Sequence, residues 1–185
     1  MKLLLKIVTV VLFLFVVIPM PVLVAMHFRP HAGRLVATVE IDRPRQQVWS
    51  WLSEPRKVTR WVGWLTAVEA DPSTPAEGVG HRETWVMGDP HAAKPMRIPA
   101  EFTAWDPPHA MSGRIVYPQA FDGEFTYTLD DLGNRTRVTQ VSDWHYSGFG
   151  WLMEPLVTPE AQKKMMQDIG RMKALVEAEP LKRYP

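Results

Sequence analysis

Glu83 and Glu101 stand in strand-forming stretches, HRETWVMG and MRIPAEFTAW, that are otherwise rich in apolar and aromatic residues. A carboxylate turned into an apolar interior is desolvated, so its pKa rises towards the range of a general acid or base. Side chains alternate faces along a strand, and Trp85 and Met87 share theirs with His81 and Glu83. If the aromatic and the thioether point inward, Glu83 does as well. Arg114, or a histidine, is a candidate partner for such a carboxylate. In the alternative reading these charges face solvent, and Glu83 and Glu101 pair with Arg82, Arg97 or Arg114 as sheet-face ion pairs worth little.

Other chemistries find no support. The chain has no cysteine, so thiol nucleophiles, disulfides and zinc–thiolate clusters are excluded. It has no G-x-S-x-G, no H-E-x-x-H and no phosphate-cradling glycine loop. His81, His91, His109 and His145 are scattered without ligand spacing, so neither a metal nor a cofactor is expected. From Arg34 onward 18 basic residues face 20 acidic ones, a balance that argues against nucleic acid as a partner.

The elements that must position these residues follow from periodicity. RLVATVEID alternates like a half-buried strand. Asp42 and Pro44 then start a helix whose apolar face is Val48, Trp51 and Leu52, and Pro55 stops it. Core packing is the favoured role of Trp51; Trp49, off that stripe, faces a cavity mouth or a membrane surface, or is simply half-buried. A second short helix carries Val58, Trp61 and Val62 and ends at Gly63. Six further strand-like runs follow, with turns at Asp106–Pro108 and Asp130–Asn134, and short connections imply antiparallel pairing. Thr158 and Pro159 open a last helix, running to about Ala178, with an apolar stripe of Ala161, Met165, Ile169, Met172 and Val176. Lys163, Lys164, Asp168 and Arg171 are assigned to its polar side, and Gly170 suggests close approach of the sheet or a ligand.

Ahead of this body, Ile7 to Met26 is a run of twenty uncharged residues, long enough to span a ~30 Å hydrocarbon core as a helix. An uncleaved anchor is favoured over a signal peptide, because Val24-Ala25-Met26 fits a cleavage site poorly. Lys2 and Lys6 favour a cytoplasmic N-terminus, which sends the following domain to the periplasmic or extracellular side of a single-pass membrane protein. The expected organisation is an anchor and linker over residues 1–30, one domain over 31–180 and a tail over 181–185.

This order, one strand, two short helices, a run of antiparallel strands and one long helix, is that of an α+β fold. The opening VEIDRPRQQVWSWLSEPRKVTRWVGWLTAVE, the FTAWDPPHAM turn and the strand at Thr136 to Val141 resemble the START-like, or SRPBCC, superfamily of polyketide cyclase/dehydrase and lipid-transport type. The resemblance implies a helix-grip fold, with a curved antiparallel sheet of about six or seven strands around the C-terminal helix. It also implies a cavity between them, plugged at one end by the short helices. Candidate cavity residues are Trp51 and Trp61 from those helices, then Glu83, Trp85, Met87, Glu101, Arg114, Phe125 and Tyr127 from the strands. Met165, Ile169 and Met172 complete the set from the long helix. A lipocalin-like closed barrel fits the helices badly.

The leading expectation is a membrane-anchored domain that binds a hydrophobic small molecule, such as a lipid, quinone or isoprenoid, without covalent chemistry. The alternatives are a cyclase- or dehydrase-like enzyme with a buried carboxylate, and an envelope interaction module using an exposed GFGWLMEP loop from Gly148 to Pro155. No feature identifies a protein partner.

Overall fold

A computed structural model describes residues 32–88, 95–118, 120–148, 150–181 and 184, and residues 6, 10, 12–17, 20, 21 and 24 of the leading segment. The chain divides into two compact units, Met1–His31 and Ala32–Pro185. In the first, every described residue has helical backbone, with a π-helical turn at Phe13–Val17. The membrane helix expected over Ile7 to Met26 falls half on residues outside the described ones. Among the described residues no helix is long and apolar enough to cross a membrane.

The second unit opens with β1 (Ala32–Ile41), whose Leu35, Ala37 and Ile41 are buried as the alternation requires. The chain turns at Asp42 to Pro44 into α1 (Arg45–Ser53), where the Pro44 carbonyl accepts from the Gln47 and Val48 N–H groups. Pro55 ends α1 and also begins α2 (Pro55–Trp61), since proline suits a first helical position whose N–H would have no partner. The strands are β2 (Leu65–Ala70), β3 (Arg82–Met87), β4 (Met96–Asp106), β5 (Ala110–Tyr117), β6 (Phe121–Asp131) and β7 (Thr136–Tyr146). All pair antiparallel in one seven-stranded sheet of order β1-β7-β6-β5-β4-β3-β2. Its ends, β1 and β2, do not pair with each other, so the sheet is open and not a lipocalin-like barrel.

The last element, α3 (Gly150–Ala178), begins two turns earlier than Thr158. Much of GFGWLMEP is therefore helix; the side chains of Trp151 and Leu152 lie outside the described residues. Pro155 and Pro159 sit inside α3, where their fixed φ is compatible with helix and each forgoes one intrahelical bond. The start is set by Gly150, whose N–H donates to the Ser147 carbonyl and whose missing Cβ leaves room for the Ala120 carbonyl. Gly170 is exposed and a Cβ there would meet nothing, so the close approach expected at that position is absent.

α3 packs chiefly on β1. Its C-terminal carbonyls, which lack intrahelical partners, are capped by a cation from elsewhere. The Arg43 guanidinium donates to the carbonyls of Glu177 and Glu179, and the buried Gln47 amide donates to Pro180 O at 3.1 Å. Lys173 Nζ reaches the Glu40 carbonyl at 2.6 Å, and the Glu177 carboxylate accepts from Asp42 N–H at 2.8 Å. Further up the helix, Gln162 bonds both backbone groups of Val36, accepting at 3.1 Å and donating at 2.8 Å.

This explains the two tryptophans of α1. Trp51 is fully buried; its carbonyl accepts from Trp61 Nε1 at 2.8 Å and the Arg60 guanidinium lies 4.9 Å above its ring. Trp49 is half-buried, edge-on to Trp105 with centroids 5.2 Å apart. Urea unfolding of the full chain should therefore separate them. Trp51→Ala should cost about 3–5 kcal/mol, and Trp49→Ala clearly less, its aromatic pair being worth about 0.5–1.5 kcal/mol. Equal costs would show that Trp51 is not the core residue of α1.

Candidate ligand cavity

The concave face of the sheet, α1 and α2, and the N-terminal half of α3 line a partly open cavity of ≈ 320 Å³. Leu52, Val58, Trp61 and Val62 close one end, as the family resemblance implies. Val157, Ala161 and Met165 of α3 form the roof. The floor is aromatic: Trp85 lies 5.3 Å from Phe125, Phe125 is 5.8 Å from Phe102, and Trp64 is 5.9 Å from Trp85, all centroid to centroid. β5 and β6 come close enough to pack Phe125 because position 113 is glycine. A Cβ there would overlap the Phe125 ring and lie 2.8 Å from the Glu101 carbonyl oxygen.

Glu83 projects from β3 into this wall. Its Oε1 accepts from Trp85 Nε1 at 2.5 Å, and its Oε2 lies 3.6 Å from His81 Nε2. His81 is itself buried, stacked on Phe102, and its Nδ1 is 2.7 Å from the Pro75 carbonyl oxygen. A carbonyl only accepts, so Nδ1 carries a proton and Nε2 is the nitrogen that faces the carboxyl. Desolvation pushes the Glu83 carboxyl above the usual carboxylate range, against the pull of Trp85 and His81. The result is a desolvated carboxyl in the cavity wall, bonded to Trp85 and faced by a buried histidine.

A second buried carboxylate comes from α3. Asp168 was assigned to the solvent side of the helix, yet it is buried. It stands three residues after Met165 and four before Met172, on the edge of the apolar stripe. Its Oδ1 accepts from Gly63 N–H at 3.0 Å and lies 3.7 Å from Arg171, which donates to the Trp61 carbonyl at 3.3 Å. Asp168 thus ties α3 to the end of α2. Desolvation raises its pKa against the Gly63 bond and the cations Arg171 and Lys164. The buried Tyr127 hydroxyl is pushed up by desolvation and by Asp168.

Of the candidates from sequence, Trp61, Glu83, Trp85, Met87, Phe125, Tyr127 and Met165 line the cavity together. Trp51, Ile169 and Met172 are buried in the packed core and do not line it. Glu101 and Arg114 are not cavity residues. They pair with each other at 3.1 Å across neighbouring strands on the outer face, because Ile98, Ala100 and Phe102 take the inner positions of β4. Arg114 therefore cannot partner Glu83, and His81 does. Sequence reasoning missed Gln140 and Asp168 as wall residues; Gln140 shares strand parity with Ser142 and Trp144, which also line the cavity. His91 lies outside the described residues. Among the described residues no three His, Asp or Glu side chains group as metal ligands.

The chain belongs to the Polyketide cyclase / dehydrase and lipid transport family, which matches residues 32–177, from β1 to the end of α3. Solved structures share the fold. Ara h 8.0201 superposes with a TM-score of 0.63 at 10% identity, over 80% of this chain and 99% of its own. The Thermus thermophilus protein TTHA0849 gives 0.61 at 20% identity, over 78% of this chain and 97% of its own. Norcoclaurine synthase from Thalictrum flavum, in complex with dopamine and hydroxybenzaldehyde, gives 0.58 at 15%, over 82% and 90%. No curated protein matches the sequence.

The raised Glu83 carboxyl has a consequence for stability. Its neutral form is the one the fold favours, so its contribution is complete below the unfolded value near 4.5 and is lost as pH rises through the higher folded value. Glu83→Gln keeps an acceptor for Trp85 and removes the ionisation. Urea unfolding between about pH 4 and about pH 8 should show the variant gaining on the wild type as pH rises. A constant difference would mean that the carboxyl is not desolvated.

Proposed function

We propose that this protein binds a hydrophobic small molecule, of lipid, quinone or isoprenoid type, in the cavity between the sheet and α3. The observation that carries this reading is the partly open cavity of ≈ 320 Å³ with a mainly aromatic and aliphatic wall, within the size range of small-molecule sites. Family membership and fold point the same way. Native mass spectrometry with solvent extraction, on the full chain, tests it: an apolar species should accompany the folded protein. A clean apo mass that also takes up no added 1-N-phenylnaphthylamine would remove the reading.

We also propose that the Met1–His31 unit is a single-pass anchor that leaves the cavity domain on the periplasmic or extracellular side. Twenty uncharged residues, two lysines ahead of them and the exposure of Val10, Leu12, Phe13, Val16, Val17, Met20 and Val24 support it. The full chain should then stay with membranes through an alkaline carbonate wash; release into the supernatant would rule out an integral anchor.

A second reading rests on the Glu83–His81 pair. A raised carboxyl beside a histidine with one fixed proton is suited to moving a proton to or from a bound molecule. Norcoclaurine synthase, which shares the fold, is in complex with dopamine and hydroxybenzaldehyde. Under this reading the species extracted from Glu83→Gln differs chemically from that extracted from the wild type, because unprocessed substrate accumulates. Identical species in both would leave Glu83 without a chemical role.

A further inference from the structure

One end of the cavity domain exposes apolar side chains that its packing does not use. That end is assembled from the start of β1, the β5–β6 turn, the end of β7 and the start of α3. Ala32 pairs with His145, Phe121 pairs with Tyr117 and Tyr146, and Gly150 lies against the Ala120 carbonyl. A Cβ at Gly33 would lie 3.2 Å from Thr158 Oγ1, which is itself 3.2 Å from the Tyr146 hydroxyl. The first turns of α3 thus stand beside the point where β1 enters the domain.

On those turns Met153, Leu156 and Val157 fall at i, i+3 and i+4, on one face of the helix. They are 51%, 68% and 40% exposed, the reverse of what an apolar helix face in a packed domain shows. Val157 also lines the cavity, as do the half-buried Phe121 and Trp144, and Tyr117 stacks on Phe121 at 5.6 Å. The cavity wall therefore reaches the surface at this end and continues there as an apolar patch. Val79, exposed between two glycines in the β2–β3 connection, is by contrast a single aliphatic of the ordinary kind.

Two observations say what covers the patch. The uncharged run ends at Met26, and six residues further on, at Ala32, β1 begins at this same end. Six residues span at most about 20 Å, so a leader held in a bilayer keeps the patch within short reach of lipid. The charges nearby, in turn, make no strong field of one sign. Glu154 and Glu160 on α3 are matched by Lys163 and Lys164, and Arg34 pairs with Asp143 at 3.3 Å. Such a surface gains mainly by burying apolar area. The two lysines stand about 10 Å along the helix from Leu156, which leaves them at the headgroups when an apolar face sinks the usual 5–10 Å or so.

We infer that this end of the domain docks on the bilayer, with Met153, Leu156 and Val157 in the boundary between headgroups and acyl chains. The inference rests on the cavity and anchor readings and adds the route of the guest. An apolar molecule passes between lipid and cavity along one continuous apolar surface, so the ligands are molecules that reside in the membrane.

The chain has no cysteine, so one introduced thiol carries one label. Leu156→Cys, and separately Asn134→Cys in the exposed β6–β7 turn at the far end of the sheet, receive the fluorophore NBD. Each full-length variant is placed in phosphatidylcholine vesicles with and without doxyl-labelled phosphatidylcholine. The label at 156 should lose about half or more of its emission to the lipid nitroxide, and the label at 134 almost none. Met153→Cys repeats the reading should the first label disturb the fold. Equal loss at both positions, or none at either, in a chain that withstands alkaline carbonate would overturn the docking while the anchor stands. A chain that carbonate releases has no integral anchor; its label at 156 is then read with the same vesicles added from outside, where quenching keeps the docking and its absence overturns both. Leu156→Cys chains that join as disulfide-linked pairs, with no quenching of the label, would assign the patch to a second copy and overturn the inference. The cavity reading is decided separately, by native mass spectrometry.

Discussion

The polar clamp at the C-terminal end of α3 fixes where the other elements can sit. That helix has no basic residue in its last turn, and its free carbonyls take their donors from Arg43 and Gln47, at the entrance to α1. Charge-assisted bonds of this kind are directional, so α3 is held to the β1–α1 corner. With its C-terminal half fixed there, Ile169, Met172 and Val176 pack into solid core. The N-terminal half, with Val157, Ala161 and Met165, faces the cavity instead. The space is thus a by-product of fastening a 29-residue helix at one end and along one strand.

Around that space the polar residues fall into two kinds. Glu83, His81 and Asp168 are buried with partners, and those partners either lie on the same strand or join two elements. Their role in the apo fold is complete. On β7, by contrast, Gln140 Oε1 and Trp144 Nε1 are buried without such partners.

Much of this was legible in the sequence, and the misses have definite causes. The i, i+3, i+4 spacing of Val48, Trp51 and Leu52 and the alternation in RLVATVEID are local signals, and both elements form as read. Glu83 was separable from Glu101 by the same logic. In MRIPAEFTAW the apolar Ile98, Ala100 and Phe102 claim one face, and Glu101 falls on the other. Asp168 was misplaced because a carboxylate beside an apolar stripe reads as solvent-facing until the Gly63 N–H that holds it is known. That pairing spans 105 positions of sequence, and no local pattern encodes it. The start of α3 was missed because Thr158 and Pro159 read as a helix opening, whereas space for the Ala120 carbonyl beside Gly150 sets it.

The side-chain amide of Gln162 has a consequence beyond holding α3. An amide is a peptide group on a tether, and by accepting from Val36 N–H and donating to Val36 O it mimics one residue of an eighth strand. β1 is an edge of the sheet, and an open edge is a template on which a strand from another chain can grow. Here the template is already engaged at its middle. An intruding strand would have to evict Gln162 before gaining its first pair of bonds there. One glutamine thus acts as a stopper against polymerisation of the sheet.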